Sequence, residues 1–389
     1  MGASVETTWP GHGPWVASYR VLFALLAFWA AVVIPAWSAL GLGGGGLGWH
    51  VHEMVFGVGG GALAGYLPTA CTSWTGRAPI SGRPVMILAA LWILARVVMS
   101  VAPGTLPTAV TAVGVGAVFW WIAVIVGREM HRSIKPIGGY PRSLIVFCVI
   151  AGAGSGFVAT RPVVTEALAN AMILLFTTLL TGVGGRMVPA FVNWTNTRLG
   201  VPVVVIKPVW RRAALVLLGT AIVTAPWPSI SASLGMAAAV VLVAHMARWP
   251  YRNARHDSLA LMTLVAFCWI PVGLVLWGLS RLGVVPLEPM TASHCLTIGA
   301  LGGLVIAVMS RAPARRGGGY LHVRAPALLG FLAVMLSAVT RLAELNDLSG
   351  WLWAIGWALV FVAHLPAFSG PVPRPIFSAR RLPAVEPTS

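Results

Sequence analysis

Charged residues are scarce in this 389-residue chain: they make up 9% of it, against roughly a quarter of an ordinary soluble domain. Acidic residues are the scarcest, with 9 Asp and Glu against 26 Lys and Arg. Hydrophobic residues make up 58% of the chain and the mean hydropathy is +0.86, so a soluble fold could not cover its apolar surface. The composition excludes a soluble globular protein and indicates a polytopic membrane protein.

Several motifs are also missing. The four cysteines show no CxxC or CxxCH spacing, which argues against a disulfide framework and covalently attached c-type haem. There is no phosphate-binding loop, HExxH motif or serine-hydrolase elbow. No basic segment is long or aromatic enough for nucleic acid, which we therefore exclude as a partner. The first nineteen residues lack the pattern of a cleavable signal peptide, so we expect the first helix to be retained.

Apolar runs of about 20 residues recur along the chain, bounded by clusters of Arg, Pro and Gly. They predict an all-α membrane protein with about twelve transmembrane helices. We expect a cytoplasmic segment over residues 1–20, a single transmembrane domain over 21–370 and a basic cytoplasmic tail over 371–389. The predicted spans are 21–40, 50–70, 84–102, 106–127, 142–160, 166–184, 209–226, 231–248, 259–280, 290–310, 325–343 and 350–369.

The loops between these spans alternate in charge. "REMHRSIK", "RWPYRNAR" and "RAPARR" are basic, whereas "GLGGGG", "APWPS" and "RLAELNDLSG" are neutral or acidic. A missed or invented helix would scramble this alternation. Because basic loops stay in the cytoplasm, the pattern predicts that both termini are cytoplasmic.

With this orientation, polar side chains from four distant spans lie toward the outer face. An ionisable group within a membrane is costly unless a partner, a metal or water offsets its desolvation, so these groups are functional candidates. The alternative is that they reach the interface and stabilise helix ends. They are His50, His52 and Glu53 on helix two, Arg96 on helix three, Glu166 and Asn170 on helix six, and His294 and Cys295 on helix ten.

Successive helical residues turn by about 100°, so His50 and His52 point roughly 200° apart and should have different partners. Haem held between a helix-two histidine and His294 suits that geometry. The other helix-two histidine could then hold copper. Cys295, beside His294, is a separate candidate for a soft copper ligand. Alternatively, Cys295 is a small apolar filler. We predict Arg96 as a counter-charge to a haem propionate, or to Glu53 or Glu166.

The glycines near the two histidines share a spacing. His52 and His294 are each followed by Gly at positions +5, +8 and +9. Small residues allow close approach of another helix or of a flat cofactor. The shared offset favours the cofactor, although ordinary helix packing explains the glycines alone equally well.

Three segments, "HVHEMVFGVGGGALAGYLPTACTSWTGR", "GGRMVPAF" and "HCLTIGALGGLVIAVMSR", resemble the NnrS family across most of the chain. The family consists of bacterial inner-membrane proteins that bind haem and copper and are linked to nitric oxide resistance. The resemblance implies non-covalent haem b, copper, nitric oxide as a small ligand and an electron donor. By position it marks His50, His52, Glu53, Trp74, Gly76, Arg77, Gly185, Arg186, Pro189, His294, Gly299 and Arg311, with His245 and Arg248 near the cytoplasmic end of helix eight.

This chain departs from the family pattern at Leu264 and Arg316, near which many members have a histidine. A cytoplasmic-side metal site is therefore not expected, while the outer site is intact. A weaker likeness to haem–copper oxidases suggests three four-helix arcs, but helices six and seven lack the histidines of their copper centre. A haem protein of nitric oxide defence is favoured. A nitric oxide reductase-like oxidoreductase and a secondary transporter are the alternatives, with Glu53 and Glu166 as the proton route of the former.

Overall fold

The computed structural model describes residues 8–9, 11–41, 46–101, 105–317 and 320–378. In these ranges twelve helical segments follow one another in the predicted order. They are Ser18–Leu40, Leu47–Thr75, Arg83–Ser100, Thr108–His131, Gly139–Ala159, Glu166–Arg198, Val209–Val223, Pro228–Met246, Ser258–Arg281, Pro289–Met309, Ala325–Leu342 and Asn346–His364, here called helices one to twelve.

The fold prediction is confirmed: the protein is an all-α, multi-pass membrane protein. Within the described ranges, eleven helices are long and apolar enough to cross a bilayer. Helix seven, Val209–Val223, has 15 residues. At about 1.5 Å per residue it is shorter than the roughly 30 Å hydrocarbon core. It occupies the seventh predicted position and keeps the helix order.

Helix six continues well beyond its predicted end at residue 184 and finishes at Arg198. The segment "GRMVPAF" indicated the end of helix six because it carries a charge and a proline. A helix can continue through such residues once it leaves the lipid, because only its lipid-exposed part must be apolar. The side chain of Asn193 accepts from the Val204 amide and donates to the Val204 carbonyl. These bonds hold the following loop against the extension.

The chain divides into two compact units. The first comprises Met1–Val163, Met309–Ala327 and Trp357–Ser389, and the second comprises Val164–Val308 and Leu328–Gly356. The three four-helix arcs and the single domain over 21–370 remain predictions. The predicted segments 1–20 and 371–389 extend outside the described residues.

In the first unit, the segment that follows helix twelve packs against the start of helix one. Strand β1, Thr8–Trp9, pairs antiparallel with β4, Val372–Pro373, near the other end of the chain. A separate hairpin joins β2, Arg315–Gly317, to β3, Tyr320–His322. Arg20 is 1% exposed and donates to the carbonyls of Gly13, Phe368 and Gly370 at 3.0, 3.2 and 2.8 Å. Backbone oxygens thus accept from both terminal nitrogens of this buried guanidinium.

Two more arginines hold the same C-terminal segment. Arg316 donates to the carbonyls of residues 375, 376 and 378, and Arg311 to that of Phe377 at 2.6 Å. Burial lowers the pKa of Arg316 to about 10, which leaves it charged at neutral pH. The Phe377 ring stacks on Tyr66 with the centroids 5.6 Å apart. Residues 371–378 are therefore packed against the bundle and do not form a solvated tail.

Candidate functional site

Helix two changes its winding at the predicted site. It is α-helical over Leu47–His52, π-helical over Glu53–Val58 and α-helical again from Gly59. A π-helical turn contains an extra residue, which shifts the side chains that follow it, and such turns are frequent at functional sites. The irregularity begins at the residue after His52.

Helix ten in the second unit has the same construction. Its first six residues, Pro289–His294, are α-helical, and Cys295–Gly302 form a π-helical segment. The irregularity again begins at the residue after the histidine. Each π segment contains the glycine at position +5, Gly57 or Gly299. The shared spacing in the sequence thus corresponds to a shared helical irregularity.

In the first unit His52 lies fully buried and uses both ring nitrogens. Its Nδ1 is 3.3 Å from Glu53 Oε1, and its Nε2 is 2.9 Å from Ser155 Oγ. A carboxylate can only accept, so Nδ1 carries the hydrogen and Nε2 accepts from the Ser155 hydroxyl. His52 could therefore bind a metal through Nε2 only after Ser155 had moved away.

The Glu53 carboxylate, itself fully buried, is surrounded by donors. Its Oε2 accepts from Trp29 Nε1 at 2.9 Å and lies 2.9 Å from Arg96 Nε. Arg96 is 6% exposed, so it does not reach out to headgroups. Of the partners considered for Arg96, the structure therefore pairs it with Glu53. A propionate contact remains a prediction.

Gly57 makes room for this ion pair. A Cβ at Gly57 would lie 2.7 Å from Arg96 Nη1 and 2.8 Å from Glu53 Oε2, closer than side chains tolerate. The carbonyl of Gly57 also accepts from Trp92 Nε1 at 3.1 Å. The π turn thus presents bare backbone to the buried charges.

His50 faces a different neighbour from His52, as the helical angle predicted. Its ring lies over Trp37, with the centroids 4.4 Å apart and the planes at 33°. The two histidines of helix two therefore do not converge on one point.

His294 has the orientation expected of a ligand. Its Nδ1 lies 2.8 Å from the carbonyl oxygen of Met290, one turn earlier. Because a carbonyl only accepts, Nδ1 carries the hydrogen and Nε2 presents its lone pair. Metal-binding histidines are commonly oriented by such a bond. The adjacent Cys295 is a buried free thiol.

The glycines of both segments are packed against protein side chains. A Cβ at Gly299 would lie 2.5 Å from the Trp269 ring, and one at Gly60 2.8 Å from Phe119. Gly302 and Gly303 likewise contact Trp353 and Met335. Close packing of the helices therefore accounts for these glycines. The prediction that they make room for a flat cofactor is not supported.

The predicted helix-six groups have partners within the second unit. Glu166 forms an ion pair with Arg281, and Asn170 Oδ1 accepts from Trp277 Nε1 at 3.2 Å. The Glu166 side chain is 47% exposed, whereas Asn170 is buried. A proton-route role for these residues remains a prediction.

Residues that the family likeness marked near the ends of helices six and eight also meet in the second unit. His245 is buried and its Nε2 lies 3.2 Å from the Gly185 carbonyl. The Arg211 side chain crosses Gly185, where a Cβ would lie 3.1 Å from Arg211 Cδ. Arg248 stacks on Trp210 at 4.5 Å. Gly185 therefore allows the Arg211 side chain and His245 to pack closely against helix six. A role for the next residue, Arg186, remains a prediction.

Copper binding remains a prediction. In the described part of the chain, no three His, Cys, Asp or Glu side chains come together as ligands would. Haem needs fewer protein ligands, and His294 presents a suitable nitrogen.

Sequence reasoning missed three residues of the buried network: Trp29, Trp92 and Ser155. Each is a single polar group on an apolar helix, with no spacing that ties it to "HVHEM". An indole N–H that is removed from water needs a hydrogen-bond acceptor. The tryptophans on helices one and three, which adjoin helix two in the chain, were therefore the only available signal for these contacts.

The comparisons with known proteins agree with the architecture. The family model described as "NnrS protein" matches residues 14–371, nearly the whole chain. No curated protein and no solved structure matches it. With twelve helices in the predicted order and the family match along their length, the chain belongs to the NnrS family.

Proposed function

We propose that this protein is a haem-binding membrane protein of the nitric oxide response, with His294 as an axial haem ligand. The observation that carries the proposal is the bond from His294 Nδ1 to the Met290 carbonyl, which directs the Nε2 lone pair away from the helix. The family match supports the nitric oxide response. Haem iron, when bound, supplies the centre at which a diatomic gas binds.

The protein's own contribution is to hold and orient the ligand. Glu288 caps the first turn of helix ten by accepting from the Thr291 amide at 2.7 Å. That cap and the Met290 bond fix the histidine at the junction with the π segment. His52 is a weaker ligand candidate because Ser155 already donates to its Nε2.

We further propose that the protein lies in the bacterial inner membrane with both termini in the cytoplasm. The charge alternation of the loops supports the orientation. In the described residues no contact favours a reductase or a transporter over a haem protein.

The test is an absorption spectrum of the purified protein with three variants. His294→Gly should lose the Soret band, and added imidazole should restore it by replacing the missing side chain. His322→Ala, at an exposed position in β3, should retain full haem. Haem that survives His294→Gly but disappears in His52→Ala would assign the ligand to helix two and refute the proposal.

A further inference from the structure

A cavity of about 420 Å³ lies in the first unit where helix four ends and helix five begins. His131, Lys135 and Arg142 contribute basic groups to its lining, and Ser133 lies among them. We call this cavity the basic pocket. Both helices are long and apolar enough to cross a membrane, so a pocket at their connected ends lies at a membrane surface. Its volume is within the range of small-molecule sites, about 300–1,000 Å³.

The loop that carries Lys135 is fixed by hydrogen bonds and by packing. The Ser133 hydroxyl donates to the Lys135 carbonyl at 2.7 Å, and the Lys135 amide donates to Ser133 Oγ at 3.1 Å. The Lys135 side chain packs on the end of helix two, where a Cβ at Gly76 would lie 3.0 Å from Lys135 Cε. The fold therefore determines the place of Lys135 at the pocket.

Within the described ranges, the basic pocket has no acidic partner. Glu129, the acidic residue closest to it in the chain, accepts from Arg77 Nε at 2.8 Å. No ion pair of the described residues involves His131, Lys135 or Arg142. An anion in the pocket would therefore meet positive charge that no neighbouring carboxylate balances.

The start of helix five adds to this positive field. Helix five begins at Gly139, and in the described structure no side chain caps it. The N-terminus of an α-helix carries a partial positive charge that attracts anions, phosphate groups among them. Arg142 lies in this first turn, so its guanidinium and the helix terminus favour negative charge at the same place.

An apolar face of helix five leads away from the pocket. Val146, Val149 and Ile150 follow Arg142 at positions +4, +7 and +8, so they lie on the same side of the helix. They are 58%, 49% and 50% exposed. In a bilayer this face contacts acyl chains, which a soluble anion does not have.

We propose that the basic pocket binds the phosphate of an anionic phospholipid whose acyl chains lie along this face of helix five. Basic pockets between membrane helices are suited to anionic lipid headgroups. A zwitterionic lipid fits less well, because its own ammonium group would meet the same cations. The positive-inside rule accounts for basic residues in this loop but not for their convergence on a cavity. The proposal does not depend on the haem assignment.

The experiment measures binding of phosphatidylglycerol to the full-length protein in detergent by native mass spectrometry. The double variant Lys135→Gln/Arg142→Gln should bind it about tenfold more weakly or worse, because two cations near the phosphate are lost. Arg212→Gln/Arg252→Gln is the matched control, since it removes the same charge from two exposed positions of the second unit. It should bind like the wild type.

The charge-preserving variant Lys135→Arg/Arg142→Lys should keep the affinity, which separates loss of charge from damage to the fold. Binding should also persist in the His294→Gly protein, so its failure bears on the lipid site alone. Equal affinity of the Lys135→Gln/Arg142→Gln and wild-type proteins would overturn the proposal, as would equal binding of phosphatidylcholine. Displacement of the lipid by an equal concentration of glycerol phosphate would also overturn it, because a soluble phosphate ester would then be the occupant.

Discussion

Arg96 Nε lies 2.9 Å from Glu53 Oε2, and the two side chains are 7% and 0% exposed. A charged pair removed from water in this way is stable only while both partners are present. Trp29, which donates to the same carboxylate oxygen, stabilises the arrangement further. The pair connects helix two to helix three at the start of the π segment.

Replacing Arg96 with Leu should destabilise the protein by about 3–5 kcal/mol, because Glu53 would be left buried without a cation. The measurement is unfolding of the purified protein, monitored by circular dichroism. The double variant Glu53→Gln/Arg96→Leu should recover a large part of the loss, since it leaves no buried charge. Unchanged stability of the single variant would show that the pair contributes nothing to the fold.

Gly57→Ala should cost about 1–3 kcal/mol, because the new methyl group would overlap both members of the ion pair. A Cβ there would lie 2.7 Å from Arg96 Nη1. Gly219→Ala is the control, since nothing lies within 4 Å of a Cβ at that position in helix seven. Equal melting temperatures for the two variants would contradict the close packing at Gly57.

Arg20→Lys should lower stability by about 1–3 kcal/mol while keeping the charge that favours a cytoplasmic position. Lysine cannot reproduce the planar donors that reach Gly13, Phe368 and Gly370. The C-terminal segment should then be cleaved faster in limited proteolysis. Arg83→Lys at an exposed site serves as the control. Equal cleavage rates in the two variants would show that Arg20 does not hold the C-terminal segment in place.

A reporter that is active only in the periplasm should be silent when fused after Ser389. The reason is the alternation of basic and neutral loops, which predicts an even number of spans with both ends in the cytoplasm. A cytoplasm-active reporter fused at the same point is the control and should be active. The opposite pair of results would mean an odd number of spans or an inverted orientation.

The amino-acid sequence was sufficient to predict the twelve helices and their order, because in lipid every backbone polar group must be satisfied within its own helix. Hydropathy and loop charge are local properties, so they could be evaluated without knowing the fold. The extension of helix six to Arg198 was missed because its last turns are held by side chains such as Asn193, whose partner lies beyond the helix.

The sequence also located the histidines and the glycine spacing on helices two and ten, and it showed that His50 and His52 would diverge. Only the tertiary structure decided which partner each polar group has. Arg96 had three candidate acceptors, and packing between helices two and three selected Glu53. The same packing brought Trp29 and Ser155 to the buried network and filled the space beside the glycines with aromatic rings. Such contacts join residues far apart in the chain, so their energies depend on the distances and burial that the assembled helices create.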